Sequence, residues 1–188
     1  MTVETLTLSA PGRSVSAAEF RSAFRHVPLP VAVVLVRDAD GAMHGITCTS
    51  ATSLSAHPPM AMFSVDDKTG FAERVRDAGE FSINYLAHDR AEWARSFSRG
   101  GASLSALLPV VGSGRSAVPT LRSGTTVVLE CRVADVAQGG DHWIVTGTIT
   151  HARRQSDAPA LLYAAGAYGA FEEPAATPAV DSAEPAPA

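Results

Sequence analysis

A segment rich in hydroxyl side chains occupies residues 45–59 and contains no acidic residue. Short hydroxyl side chains and unpaired backbone N–H groups can bind a phosphate or the polar edge of a ring where the chain turns them inward. The same composition is also typical of an ordinary loop, so the residue types alone leave both interpretations open. The hydroxyl residues of this segment are Thr47, Thr49, Ser50, Thr52, Ser53 and Ser55.

A second candidate for chemistry is His142, which follows Gly139, Gly140 and Asp141 at a turn. Histidine changes its charge near neutral pH, so it can orient a ligand or transfer a proton. Asp141 could shape the turn or raise the basicity of the imidazole. A histidine in this position is equally compatible with an exposed turn residue that has no catalytic role.

Five motifs resemble, in order along the chain, those of the short-chain NAD(P)H:flavin oxidoreductase family, the reductases of two-component flavin monooxygenases. The resemblance covers about residues 20–171 and implies an FMN-binding split β-barrel. It also implies a flavin reductase that transfers a hydride from NADH or NADPH to FMN or FAD and supplies reduced flavin to a partner monooxygenase. The motifs lie at residues 20–24, 45–59, 79–86, 140–142 and 161–168.

The same resemblance assigns roles to individual residues. His142 is implied as the catalytic residue near the nicotinamide, and no metal site is expected. The residue types leave other interpretations open: Asn84 could satisfy a strand end, Cys48 could be a small buried filler, and Tyr168 could be a core aromatic. The cofactor-binding residues that the resemblance implies are Thr47, Cys48, Thr49, Ser50, Ser53, Ser55, Asn84 and Tyr168.

Two departures from the family pattern keep other functions open. Leu29 and Pro30 stand where the family usually has Thr-Gly, which removes a hydroxyl and a backbone N–H. The segment after Phe97 lacks the usual acidic-Lys-Phe sequence, so a phosphate would depend on Arg99 or on Lys68 and Thr69. The alternatives are a non-enzymatic flavin carrier and a split-barrel protein recruited to another step of a biosynthetic pathway.

Composition excludes several classes of function. The 188 residues carry a formal net charge of -4 without a basic block, so nucleic acid is not an expected partner. Only Cys48 and Cys131 are present, too few for a disulfide framework or a four-cysteine zinc site. This cysteine usage predicts a reduced, cytoplasmic protein. No stretch approaches the ~20 apolar residues of a membrane helix, so no membrane is expected as a partner. Homodimers are usual in the family that the chain resembles.

Local patterns predict which elements must position these residues. Ser16 and Glu19 form a capping box that predicts a helix whose apolar face, with Phe20 and Phe24, packs on the core. Residues 31–36 predict a strand that a turn connects to a second strand near residues 44–49. Further patterns predict a strand at residues 60–65, a helix at 71–77 closed by a glycine, a strand at 81–86, a helix through about residue 97, and a long loop at 98–124.

Two further strands are predicted at residues 125–136 and 143–152, and the family resemblance implies a closing strand at residues 161–168. Short strands joined by turns, with few long helices between them, favour a mainly β fold: an antiparallel split β-barrel capped by two or three short helices. We expect one domain at residues 16–171, a flexible arm at residues 1–15, and a disordered tail rich in alanine and proline at residues 172–188.

Overall fold

Antiparallel strands make up most of the computed structural model, which describes residues 14–98, 111–116 and 118–171. Most of the expected N-terminal arm, Arg99 and the expected C-terminal tail lie outside these residues. The strands are β1 (Leu29–Pro30), β2 (Ala32–Arg37), β3 (Met43–Cys48), β4 (Thr52–Ala56), β5 (Pro59–Asp66), β6 (Glu80–Leu86), β7 (Val111–Ser113), β8 (Pro119–Leu121), β9 (Thr125–Gly139), β10 (His142–Arg154), β11 (Leu161–Ala164) and β12 (Ala167–Ala170).

Seven of these strands form one antiparallel sheet in the order β3-β2-β6-β9-β10-β5-β4. Within the described residues, its edge strands β3 and β4 are not hydrogen-bonded to each other, so the sheet is an open barrel with a split. A three-stranded sheet, β1-β11-β12, and the hairpin β7-β8 stand beside it. The predicted antiparallel split barrel is confirmed.

Three helices accompany the strands: α1 (Ala17–Phe24), α2 (Phe71–Ala78) and α3 (Ala91–Ser98). A 3-10 turn, Asp67–Thr69, leads into α2. Gly79 ends α2 with a φ of 73°, in the left-handed region that glycine adopts without a steric penalty, as its place in the sequence predicted. Helix α3 reaches the predicted end, because Ala94 and Phe97 are buried against the sheet.

Two apolar clusters cover the two faces of β2, whose side chains alternate between them. Val34 and Val36 belong to the first cluster, which includes α2, and Val33 and Leu35 to the second, which includes α3. All five residues from position 32 to 36 are therefore buried. A strand covered on both faces reads as a continuous apolar run, which is the pattern seen in the sequence.

Helix α1 corrects one expectation about the core. Ser16 and Glu19 form the predicted capping box, with the Ser16 Oγ accepting from the Glu19 amide at 3.2 Å. The helix nevertheless buries no residue, and the side chains of Phe20 and Phe24 are each 52% exposed. Among the described residues, nothing covers this face of the helix.

The long loop predicted at residues 98–124 also needs correction. Its described part contains the hairpin β7-β8, which the Gly, Ser and Pro content of the segment concealed. The hairpin is tied to the sheet by buried polar groups, since the Ser82 hydroxyl donates to the Pro119 carbonyl at 2.6 Å. The predicted closing strand near residue 161 is instead the hairpin β11-β12, which turns at Ala165 and Gly166.

Candidate functional site

A groove follows the outer edge of β3, at the split of the barrel. Its cavity volume is about 1180 Å³, larger than the about 300–1,000 Å³ of typical small-molecule pockets. One wall comes from the end of β5, the 3-10 turn and α2, and other lining residues come from α3, β10, β11 and β12. Of the residues predicted from the sequence, those that line the groove are Thr47, Cys48, Thr49, Ser50, His142 and Tyr168.

The hydroxyl groups of the first motif mainly hold the groove wall in place. The Thr47 Oγ1 donates to the Ala94 carbonyl of α3 at 2.7 Å. The Ser50 Oγ donates to the Ser64 carbonyl at 3.0 Å and accepts from the Ser64 amide at 2.9 Å. These hydroxyls join the end of β3 to α3 and β5, so they fix the adjoining segment, in which Thr49 lines the groove.

The structure places three predicted cofactor ligands away from the groove. Ser53 and Ser55 lie on the edge strand β4, where the Ser55 Oγ accepts from the His57 amide at 3.2 Å. Asn84 is fully buried in β6, and its amide is engaged on both sides. Its Nδ2 donates to the Val33 carbonyl at 3.0 Å, and its Oδ1 accepts from the Leu121 amide at 2.9 Å.

Asn84 therefore has the structural role that its residue type left open. It joins β2, β6 and the hairpin β7-β8, and a second donor bond from its Nδ2 reaches the Ser82 Oγ at 2.8 Å. Both N–H groups of Nδ2 and the Oδ1 are hydrogen-bonded within the protein, and the residue is fully buried, so the amide is not presented to the groove. We assign Asn84, Ser53 and Ser55 no contact with the groove.

Cys48 lines the groove as a buried, protonated thiol. Its side chain is 8% exposed, and burial raises the pKa of the thiol to about 11. The thiolate form is the nucleophile and the metal ligand, so this cysteine is chemically inert at neutral pH. Within the described ranges, no group of three or more His, Cys, Asp and Glu side chains is placed to hold a metal ion.

His142 stands at the start of β10, opposite Asp66 at the end of β5. Its Nδ1 lies 2.8 Å from the Asp141 Oδ1, and its imidazole is 43% exposed. This hydrogen bond, together with the charge of His142, holds the pKa of the Asp141 carboxyl below its usual range. With Nδ1 engaged, Nε2 is the ring nitrogen left to face a molecule in the groove.

Tyr168 forms part of an aromatic corner of the groove together with Tyr163. Their ring centroids are 5.1 Å apart, and the Arg95 guanidinium lies 5.0 Å from the centre of the Tyr168 ring. A guanidinium over the face of a tyrosine is attracted by the negative charge of that face. Tyr168 is therefore held between α3 and β11, with part of its ring open to the groove.

Sequence reasoning missed several residues that line the groove. Phe97 and Ser98 belong to a segment without a binding motif and reach the groove because α3 packs next to β3. Tyr163 lies within the motif at residues 161–168 but was not among the predicted ligands, and it too lines the groove. Arg74 and His44 also line it, from α2 and β3. The sequence pointed to Lys68 and Thr69 as possible phosphate ligands, and both do line the groove.

The donor set suits a flavin nucleotide. Hydroxyl and backbone groups near Thr49, with the cation Lys68, can bind phosphate, while Ile46 and Phe71 offer apolar contact to a ring. Leu29 and Pro30 form β1, paired with β11, and neither lines the groove. The departure from the usual Thr-Gly thus leaves this donor set intact.

In the part of the chain that the structure describes, no helix has the length and apolar character needed to cross a membrane.

Comparison with known proteins places the chain in a family. The flavin reductase like domain family matches residues 24–172. An NADH:riboflavin 5'-phosphate oxidoreductase of Streptomyces pristinaespiralis is 34% identical over 151 residues, which cover 80% of this chain and 85% of the relative. The reductase component of a 4-nitrophenol 4-monooxygenase/4-nitrocatechol 2-monooxygenase of Rhodococcus opacus is 34% identical over 154 residues, covering 82% and 80%.

The fold agrees with this assignment. The solved structure of an NADH:FAD oxidoreductase of Streptomyces globisporus superposes with a TM-score of 0.77 and 25% identity, over 88% of this chain and 100% of that one. The match of the family covers the split barrel together with both walls of the groove. The chain therefore belongs to the flavin reductase like domain family.

Proposed function

We propose that this protein is a flavin reductase that transfers a hydride from NADH or NADPH to FMN or FAD and supplies the reduced flavin to a partner monooxygenase. The observation that carries the proposal is the family match over residues 24–172, joined to a groove that brings His142 and residues 47–50 together. Relatives that are NADH-dependent flavin oxidoreductases or reductase components of monooxygenases support the same activity and the same kind of partner.

The reaction needs few catalytic side chains, because the hydride would pass directly from nicotinamide to flavin when both are bound. The protein has to hold both rings in contact and keep them oriented. Cys48, Thr49 and Ser50 line the groove beside a flavin, and Lys68 supplies a positive charge for its phosphate. The Thr69 hydroxyl instead donates to the Asp66 carbonyl at 2.7 Å and holds the turn before α2. Tyr168 flanks the site from β12.

His142 acts on the nicotinamide side of the groove. Its Nε2 orients the carboxamide or delivers a proton to reduced flavin, and Asp141 is a positioning residue that fixes the ring through Nδ1. Since the pKa of Asp141 lies below its usual range, the carboxylate stays ionised at neutral pH and keeps this orientation. The catalytic unit in this proposal is the domain at residues 16–171.

The proposal includes a homodimer, supported by the uncovered apolar face of α1. Phe20 and Phe24 are each 52% exposed, and Val27, three residues after the helix, is 43% exposed. The two phenyl rings contact each other, tilted by 36° with centroids 4.6 Å apart. Contiguous exposed apolar side chains on one helix face mark an interaction surface. We propose that a second copy of the chain covers this face of α1.

The proposed location is the cytoplasm, where free Cys48 and Cys131 remain reduced.

The proposal is tested by following the near-ultraviolet absorbance of NADH and NADPH with purified protein and FMN or FAD, in all four combinations. We expect oxidation of at least one nicotinamide only when flavin is added. A protein that binds flavin without oxidising either nicotinamide would instead be a carrier. A protein that neither binds flavin nor oxidises nicotinamide would contradict both functions.

A further inference from the structure

Three charged or ionisable side chains meet at the edge of the groove where β3 begins. Asp38 follows β2, His44 lies in β3 and Arg74 lies in the second turn of α2. The Asp38 Oδ2 is 2.7 Å from the His44 Nε2 and 3.7 Å from the Arg74 NH1. His44 and Arg74 both line the groove, and the reductase chemistry described above uses neither of them.

The atoms of this cluster leave the guanidinium of Arg74 available to a ligand. The Asp38 Oδ1 accepts from the Ala42 amide at 2.9 Å, and the short contact to Oδ2 requires a proton on the His44 Nε2. The Arg74 NH1 lies 3.3 Å from that same nitrogen, so the two groups are both donors and do not hydrogen-bond. Within the described residues, Arg74 is thus positioned by the charge of Asp38 while no oxygen accepts a hydrogen bond from it.

The cluster lies well away from the reacting end of the groove. Ser50 is joined to Ser64, and His142 pairs with Asp66 two residues further on, so these residues gather near the ends of β3 and β5. At about 3.3 Å per residue, His44 is roughly 16 Å along the chain from Thr49. A phosphate bound by the backbone near Thr49 is therefore out of reach of Arg74, which stands beside His44 and can serve a second anionic group.

We propose that Arg74, positioned by Asp38 beside His44, binds a phosphate in the adenylate half of a bound dinucleotide and so decides which cofactors the protein prefers. The inference rests on the proposed function. The guanidinium presents paired donors that match phosphate oxygens, and a residue already held in place loses little conformational entropy on binding. This phosphate has two possible sources, the 2'-phosphate of NADPH and the adenylate phosphate of FAD.

The test is equilibrium binding of FMN, FAD, NAD+ and NADP+ to the wild type and to Arg74→Ala, by calorimetry without turnover. Loss of one charge-assisted contact predicts a dissociation constant raised about tenfold or more for the ligand that carries this phosphate. A selective loss for NADP+ over NAD+ assigns Arg74 to the 2'-phosphate, and a selective loss for FAD over FMN assigns it to the flavin. Arg74→Lys keeps the charge but not the paired N–H donors of the guanidinium, so it should raise the same dissociation constant by an intermediate amount.

Arg76→Ala is the matched control, because Arg76 lies on the same helix, is 52% exposed against 47% for Arg74, and pairs with Asp77 outside the groove. We expect its four dissociation constants to equal those of the wild type. Equal changes for all four ligands in Arg74→Ala, or no change in any, would overturn the proposal. Because binding is measured without hydride transfer, either result is independent of whether the protein turns out to be a reductase.

Discussion

The environment of Cys48 decides between two chemical roles, a reactive thiolate and an apolar side chain. The thiol lines the groove, yet burial raises its pKa to about 11, and burial raises the pKa of the neighbouring core residue Cys131 to about 12. Since the raised pKa favours the neutral form, the thiolate becomes abundant only as the pH approaches these values. A nearby flavin would therefore face an apolar sulfur rather than a nucleophile.

This predicts that iodoacetamide labels neither cysteine of the native protein near neutral pH. Labelling of Cys48 should begin only as the pH rises toward 11, and both thiols should react at neutral pH once urea unfolds the chain. Mass spectrometry after timed quenching measures the extent at each site. Fast native labelling of Cys48 at neutral pH would show that the groove activates this thiol.

At the residue scale, sequence patterns located part of the groove. His142 and Thr49 line it, and the cofactor roles that the family resemblance implied for them stay predictions. Asn84 lies outside the groove, which the sequence could not show, because an amide on a strand serves a ligand or the core equally well and only the position of the hairpin β7-β8 distinguishes the two. Arg74 could not be found, because nothing in the sequence of α2 indicates that it faces β3.

Glu130 links elements that are distant in the sequence. Its carboxylate accepts from the amides of Arg115 and Ser116, each at 2.8 Å, and from the Ser116 Oγ at 2.6 Å. These bonds hold the turn between β7 and β8 against β9. Burial opposes the charge, but the hydrogen bonds outweigh it and keep the pKa of the carboxyl below its ordinary value of 4.5.

Glu130→Gln should lower the free energy of unfolding by about 1–2 kcal/mol at neutral pH, because the charged acceptor is lost. A depressed pKa contributes stability above the unfolded-state value, and this contribution is lost as the pH falls through the folded-state value. The difference from the wild type should therefore shrink below about pH 4.5. Urea unfolding at several pH values measures it, with exposed Glu92→Gln as control. A difference independent of pH would contradict this account of Glu130.

Elements with a strong local signal were predicted, and those that depend on distant partners were not. The capping box, the glycine that ends α2, the apolar run of β2 and the alternating apolar residues of β6 each act within a few residues. The hairpin β7-β8 is only three residues long on each side and owes its place to Ser82, Asn84 and Glu130. Short strands of this kind have too little periodicity to be read from sequence.

At the scale of the whole molecule, the apolar face of α1 decides whether one chain is the working unit. This face buries nothing among the described residues of its own chain, so its substitution should leave the stability of a single chain unchanged. A homodimer should weaken when either phenyl ring of the face is removed, because each ring would lose apolar contact with the second copy.

The corresponding prediction is that the wild type has the mass of two chains by light scattering after gel filtration, and that Phe20→Ser and Phe24→Ser shift it toward the mass of one. Arg21→Ser, on the same helix and also exposed to solvent, serves as control and should remain dimeric. A wild type with the mass of a single chain would reject the homodimer, and dimeric Phe20→Ser and Phe24→Ser variants would place its interface elsewhere.

The central claim is that hydride transfer to flavin takes place in the groove at the split of the barrel, with His142 at the nicotinamide. The most direct measurement mixes flavin-loaded protein with NADH or NADPH without oxygen and follows the loss of the visible absorbance of oxidised flavin. We predict rapid bleaching in the wild type and in His88→Ala, an exposed histidine outside the groove, and bleaching about a hundredfold slower in His142→Ala. Bleaching that is absent in the wild type, or equally fast in His142→Ala, would contradict the claim.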